Sequence, residues 1–252
     1  MLVERSNRDC MSAHLDRVDD ESTLARPAAV VCDMDGLLVD TERMERRVWC
    51  EAARDHGVEL THERFASFIG HSGERNDLLL IEYFGASFDV PGFRANCHRR
   101  MRILVETEGV ALRPGAREWL AFVCGLGIPL GLATSSGPAA VRERLGELLP
   151  LFAAVVTRAD VAHGKPHPDL YLEAAARLGV APAAALAVED SPAGTQAAIA
   201  AGMPVVVVPD LVVPPHDVTP HVAGVFDSLD ALRETAARLW VSVPAQGRAA
   251  RE

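Results

Sequence analysis

The sequence predicts an α/β protein: a doubly wound parallel sheet with an all-helical domain inserted into it. Three observations lead there. Short, almost uninterrupted apolar runs recur along the chain, the signature of parallel strands buried on both faces. Helical patterns separate most of these runs, as strand–helix alternation requires. One interval, between the first and second runs, spans about 95 residues where a simple crossover needs about 30.

The first strand is expected at residues 28–32. The long interval follows, and residues 44–107 contain helical patterns at 44–55, 74–84 and 92–106 with nothing that resembles a central strand. A helical domain inserted after the first strand is the economical reading. The chain then returns through a helix at 115–124 to a strand at 129–133, a helix at 138–145, and a strand at 153–156. A helix at 168–178, a strand at 185–188, a helix at 192–201 and a strand at 205–208 complete the pattern. Pro138, Pro168 and Pro192 open their helices, where a missing N–H costs nothing, and Gly179 and Gly202 stop two of them. The core domain is therefore expected at 27–43 plus 108–240. Residues 1–26 and 241–252 are charged and aperiodic and are expected to be flexible extensions.

Composition narrows the function. With 49% hydrophobic and 24% charged residues the chain reads as globular, and 5% aromatics means an aliphatic core. A net charge of -10 repels nucleic acid and anionic membranes, so neither is an expected partner. No apolar stretch reaches the length of a membrane span, and no signal peptide is expected from the polar N-terminus. Five scattered cysteines without a CxxC pair read as reduced, buried thiols, and the expected location is cytoplasmic. The expected assembly is a monomer or weak dimer.

Chemistry should sit at the carboxyl ends of the strands. The first strand ends in Asp33-Met34-Asp35-Gly36, two carboxylates two residues apart on an extended segment before a glycine turn. Such a pair repels itself unless a cation or proton compensates. Thr134-Ser135-Ser136-Gly137 closes the second strand, Lys165 follows the third, and Glu189-Asp190-Ser191 closes the fourth. Each feature alone has a plain structural explanation as a cap or turn. Together they bring four acids, a hydroxyl and a lysine to one edge of one sheet. Carboxylates so clustered suit Mg²⁺. A hydroxyl, helix-start N–H groups and a lysine suit phosphate.

The runs VVCDMDGLLVDTE (30–42), LGLATSS (130–136), HGKPHPDLYLEAA (163–175) and AVEDSPAGTQAAIAAGM (187–203) resemble the four motifs of the haloacid dehalogenase superfamily. The likeness is to its phosphatase and phosphomutase branch, including β-phosphoglucomutase and pseudouridine 5′-phosphatase, whose core carries a helical cap. It covers about residues 28–210. The resemblance implies a Mg²⁺-dependent phosphatase acting on a small phosphorylated metabolite. Asp33 would be the nucleophile and Asp35 the general acid and base, with its carbonyl on the metal. Thr134 and the Ser135 N–H would bind phosphate, and Lys165 would align Asp33 with the phosphoryl group. Asp190 would ligate Mg²⁺ together with Asp33 and Asp35, supported by Glu189.

An aspartate at position 35 separates phosphoryl transfer from dehalogenation in this family. A sugar phosphomutase stays open as an alternative, although Glu45 and Gly73 stand where that family carries a histidine and an arginine. A non-catalytic phosphoacceptor switch is a distant second alternative. Substrate selection is expected from Glu45, Trp49, His71, Ser72 and Arg75 on the helical insert, while His163 and His167 are read as loop residues.

Overall fold

The computed structural model describes residues 24–69, 73–210 and 222–241. Strands β1 (Ala29–Cys32), β2 (Leu130–Ala133), β3 (Phe152–Val156), β4 (Ala185–Glu189), β5 (Val205–Val207) and β6 (Gly224–Val225) form one sheet. Its order is β3-β2-β1-β4-β5-β6, and every pairing is parallel. The order reverses direction beside β1, which makes the carboxyl end of β1 the place where a crevice opens. Register then decides which side chains meet. Cys32 pairs with Leu132 on one side and Val188 on the other. The residues that follow each strand therefore arrive at the same edge: Asp33, then Thr134, then Glu189 and Asp190.

Both faces of the sheet are covered. Val30 and Cys32 point into one cluster with Trp119, Leu120 and Trp240, supplied by α5 (Ala116–Gly125) and α9 (Leu229–Trp240). Ala29 and Val31 point into the other with Leu170, Tyr171, Ala197 and Ala198, from α7 (Asp169–Leu178) and α8 (Pro192–Ala200). A further helix, α6 (Pro138–Leu145), follows β2. The insert between β1 and β2 consists of α1 (Thr41–Asp55), α2 (His62–Ala66), α3 (Gly73–Phe84) and α4 (Val90–Glu108). It has its own apolar centre, in which Trp49 meets Phe65, Phe68 and Phe93 edge-on or tilted. The chain enters and leaves this insert through two segments hydrogen-bonded to each other, Asp40 N–H to Ala111 O and Arg113 N–H to Leu38 O, both at 2.9 Å.

The structure departs from the sequence reading in several places, and the short α2 is one element that reading lacks. Helix α1 starts at Thr41, not Met44, because Glu42 supplies an acid in the first turn that suits a helix N-terminus. Helix α9, capped by Ser228, is absent from the expected elements although its buried Leu229, Leu232, Ala236 and Trp240 recur at helical spacing, and the two-residue β6 is too short for periodicity to show. Leu24, expected in a flexible extension, is fully buried, and its carbonyl accepts a hydrogen bond from Trp240 Nε1 at 2.9 Å. Of the described cysteines, Cys32, Cys50 and Cys97 are buried free thiols, whereas Cys124 is exposed on the outer face of α5. No helix among the described residues is long and apolar enough to cross a membrane.

Candidate active site

A cleft of about 1180 Å³ opens where β1, β2 and β4 end, and Asp33, Asp35, Thr134, Ser135 and Lys165 line it. Gly36 makes the first of these ends possible. Its φ of +83° suits only glycine, and a methyl group there would overlap the Asp190 carboxylate. The turn thus brings the backbone after Asp35 directly against Asp190. Gly194 does the same for Glu189, whose carboxylate tucks under the first turn of α8.

Asp33 is 6% exposed, Asp190 4% and Glu189 not at all. Oxygen atoms of these three lie within 4.8 Å of one another. Against them stands one ammonium. Lys165 Nζ donates to Asp33 Oδ1 and to Glu189 Oε1, both at 2.5 Å. Burial works against the lysine's charge, but the two carboxylates overcome it and raise its pKa. Glu189 is otherwise fully engaged: Tyr171 Oη donates to Oε1 at 2.5 Å, while Oε2 accepts from Asp190 N–H, Ser191 N–H and Ser191 Oγ. Asp190 is the opposite case, because its Oδ1 is buried without a hydrogen bond. Burial, then repulsion from Asp33 and Glu189, push its pKa well above the carboxylate range. The same desolvation raises Asp33 to about 7, against the pull of Lys165. Three buried carboxylates with one ammonium and an orphaned oxygen make an all-oxygen donor set short of positive charge, which fits a hard divalent cation.

Asp35 lies in a different environment. Its Oδ2 accepts from Ser136 Oγ at 2.7 Å and Thr134 Oγ1 at 3.4 Å, and its Oδ1 from Thr41 Oγ1 at 3.1 Å. The Arg144 guanidinium also pairs with Oδ1. The two carboxylates of the DxD pair are thus held by separate counter-charges, Lys165 for one and Arg144 for the other. That separation lets them play different roles in one reaction.

With this geometry in view, comparison with known proteins is decisive. A family model for haloacid dehalogenase-like hydrolases matches residues 27–202. The chain belongs to that family. Hexitol phosphatase A of Escherichia coli K12 is 36% identical to this hydrolase over 178 residues, which cover 70% of this chain and 80% of that one. The phosphorylated carbohydrates phosphatase of Thermotoga maritima is 33% identical over 177 residues, 69% of this chain and 82% of that one. Among solved structures, a HAD family hydrolase from Deinococcus radiodurans with bound phosphate and sodium superposes with a TM-score of 0.71 at 28% identity, covering 85% of this chain and 97% of that one. The hydrolase is thus an enzyme whose relatives include phosphatases and a β-phosphoglucomutase of Bacillus subtilis, 31% identical over 181 residues, 69% of this chain and 80% of that one.

The structure brings Asp33, Asp35, Thr134, Ser135, Lys165, Glu189 and Asp190 to one edge. From the insert, Arg75 reaches the cleft wall. Trp49 does not: at 8% exposure its ring is packed among phenylalanines, with the Arg94 guanidinium stacked over it at 4.9 Å. An apolar position on the inner face of α1 explains this, so Trp49 belongs to packing and not to substrate contact. His71 and Ser72 lie outside the described residues. His163 and His167 stack at 4.7 Å and line the mouth of the cleft. Glu45 is exposed on α1. Burial, then Asp35, push its pKa to about 7 against Arg144 and Arg94.

Sequence reasoning missed four residues here. Ser136 and Arg144 hold Asp35, Tyr171 holds Glu189, and Glu42 lines the cleft with its Oε2 buried and unpartnered. Glu42 sat in the first motif and could have been found; Arg144 and Tyr171 reach the site from mid-helix and leave no local signal.

Proposed function

We propose that this hydrolase is a Mg²⁺-dependent phosphatase that acts on a small phosphorylated sugar or polyol through a phosphoaspartate on Asp33. The observation that carries the reading is the buried Asp33–Lys165 pair beside Asp190, whose Oδ1 has no partner. Two relatives named for hexitols and for phosphorylated carbohydrates support the substrate class.

Asp33, Asp190 and the Asp35 carbonyl would hold Mg²⁺, with Glu189 supporting them. Bound there, the ion would screen the repulsion between a carboxylate nucleophile and a phosphomonoester dianion. Asp33 attacks phosphorus in line and the bond from phosphorus to the leaving oxygen breaks. Asp35, released from Arg144, gives its proton to that oxygen. It then takes a proton from the water that attacks the phosphoaspartate, freeing phosphate and restoring Asp33. Thr134 Oγ1 and the Ser135 N–H grip phosphoryl oxygens, while Lys165 keeps Asp33 ionised and aimed. Residues 44–107 act as a cap over the core at 27–43 and 108–240.

Turnover of an aryl phosphate with and without EDTA tests the reading. Loss with EDTA and recovery with Mg²⁺ is the expected result; metal-independent turnover contradicts it. A phosphomutase reading draws on Arg75 in the cleft wall, where it would meet a second phosphate, and on the β-phosphoglucomutase among the relatives. Isomer formation that depends on a sugar bisphosphate would favour that reading, and release of free phosphate alone would exclude it.

A further inference from the structure

Beside Asp35, Arg144 and Glu45 carry polar capacity beyond what holding Asp35 requires. Arg144, on α6 of the core, has its Nη1 on Asp35 and within 3.2 Å of Ser136 Oγ, while its Nε is buried with no partner. Its side chain as a whole remains 15% exposed. Glu45 stands one turn beyond Thr41 on the same face of α1, and Thr41 Oγ1 donates at 3.1 Å to the Asp35 oxygen that Arg144 also pairs with, so Glu45 feels both Arg144 and Asp35. Among the described residues Glu45 makes no hydrogen bond or ion pair. Arg94, the other cation near it, is committed to Asp77 at 2.8 Å and to the face of Trp49.

A donor with unspent capacity on the core thus faces an unmatched acceptor on the insert. Both stand next to the carboxylate that meets the leaving oxygen in the proposed reaction. A group that satisfies both must accept from a guanidinium and donate to a carboxylate. A hydroxyl does this, and a vicinal pair of hydroxyls does it best. A second phosphate or a carboxylate does not, because it would confront Glu45 and Asp35 together.

We infer that Arg144 and Glu45 form the subsite that grips the hydroxyls of the leaving group, selecting a phosphorylated polyol or sugar over an ester without hydroxyls and over a bisphosphate. The inference rests on the phosphatase reading above and adds a specific pair to it. Because one partner lies on each domain, the bound hydroxyl also ties the insert to the core.

The test uses the full chain with Mg²⁺ and three esters: sorbitol 6-phosphate, propyl phosphate and a hexose bisphosphate. The readout is the ratio of kcat/KM for sorbitol 6-phosphate to that for propyl phosphate. Glu45→Ala and Arg144→Ala each lower this ratio by about tenfold or more, mainly through KM. Arg144→Lys recovers part of the loss. The double variant loses less than the product of the two single losses, because both side chains hold the same hydroxyls. Competitive inhibition by inorganic phosphate in every variant shows that the Asp33 site is folded. A ratio unchanged within about twofold in folded variants overturns the inference and leaves the phosphatase reading standing. Preference of the wild type for the bisphosphate also overturns it. No turnover of any ester by the wild type overturns the phosphatase reading itself.

Discussion

Lys165 is the residue on which the site's electrostatics turn. It neutralises Asp33 and Glu189 at once, and both carboxylates are too deeply buried for water to replace it. Lys165→Met therefore leaves two anions without counter-charge, and stability falls by about 3–5 kcal/mol. Urea denaturation at pH 8 without divalent cations measures this; a change of less than about 1 kcal/mol would show that solvent reaches the pair. Lys165 was legible in the sequence because it sits in a short Gly-Lys-Pro run at a strand end, as were Asp33, Asp35, Thr134 and the Glu189-Asp190 pair. Arg144 was not. It lies on α6, eight residues after Ser136, and only packing turns it toward Asp35. Tyr171 likewise reads as an ordinary apolar helix position until Glu189 is found beneath it.

At the scale of elements, the DxDG turn and the centre of the insert make separate demands. Gly36→Ala forces a side chain into the left-handed region and onto Asp190. Turnover should fall by at least about a hundredfold, as expected when reacting groups shift by about 1 Å, while circular dichroism stays native. Retention of most activity would show that the turn can relax. Trp49→Ala removes the side chain shared by Phe65, Phe68 and Phe93 and costs about 3–5 kcal/mol. Hydrogen exchange should localise the loosening to residues 41–108, and protection lost equally across the sheet would argue against an independent cap core. The strands were legible because burial on both faces makes them continuous apolar runs. Trp49 was misjudged because one face of α1 looks into the insert and the other toward the cleft. Helical spacing alone does not say which face a tryptophan serves.

Over the whole molecule, a net charge of -10 surrounds a site that already holds more carboxylates than cations. Asp33 and Glu42 are pushed to about 7 chiefly by burial, and burial likewise raises Asp190 well above the carboxylate range. Folded-state pKa values above the unfolded ones mean that the native state keeps protons the unfolded chain gives up. The stability these groups contribute is complete below about pH 4 and lost as pH rises through about 7. The metal-free Tm should therefore decline over that window. Mg²⁺ should raise Tm more at pH 8 than at pH 5.5, where protons compete for the same oxygens. A larger shift at the lower pH would contradict the assignment of these carboxylates to the ion. The position of the insert and the order of the motifs were legible at this scale, because chain length between strands is preserved in the sequence. The unmatched acceptor of Glu45 was not, since it exists only where two domains face each other.

Asp33 is the residue proposed to take the phosphoryl group. Rapid acid quench of the Mg²⁺-loaded enzyme during turnover, followed by mass spectrometry of its peptides, tests this directly. The expected result is a transient phosphoryl adduct on the peptide that contains Asp33, absent together with turnover in Asp33→Asn. Full turnover by Asp33→Asn would contradict it.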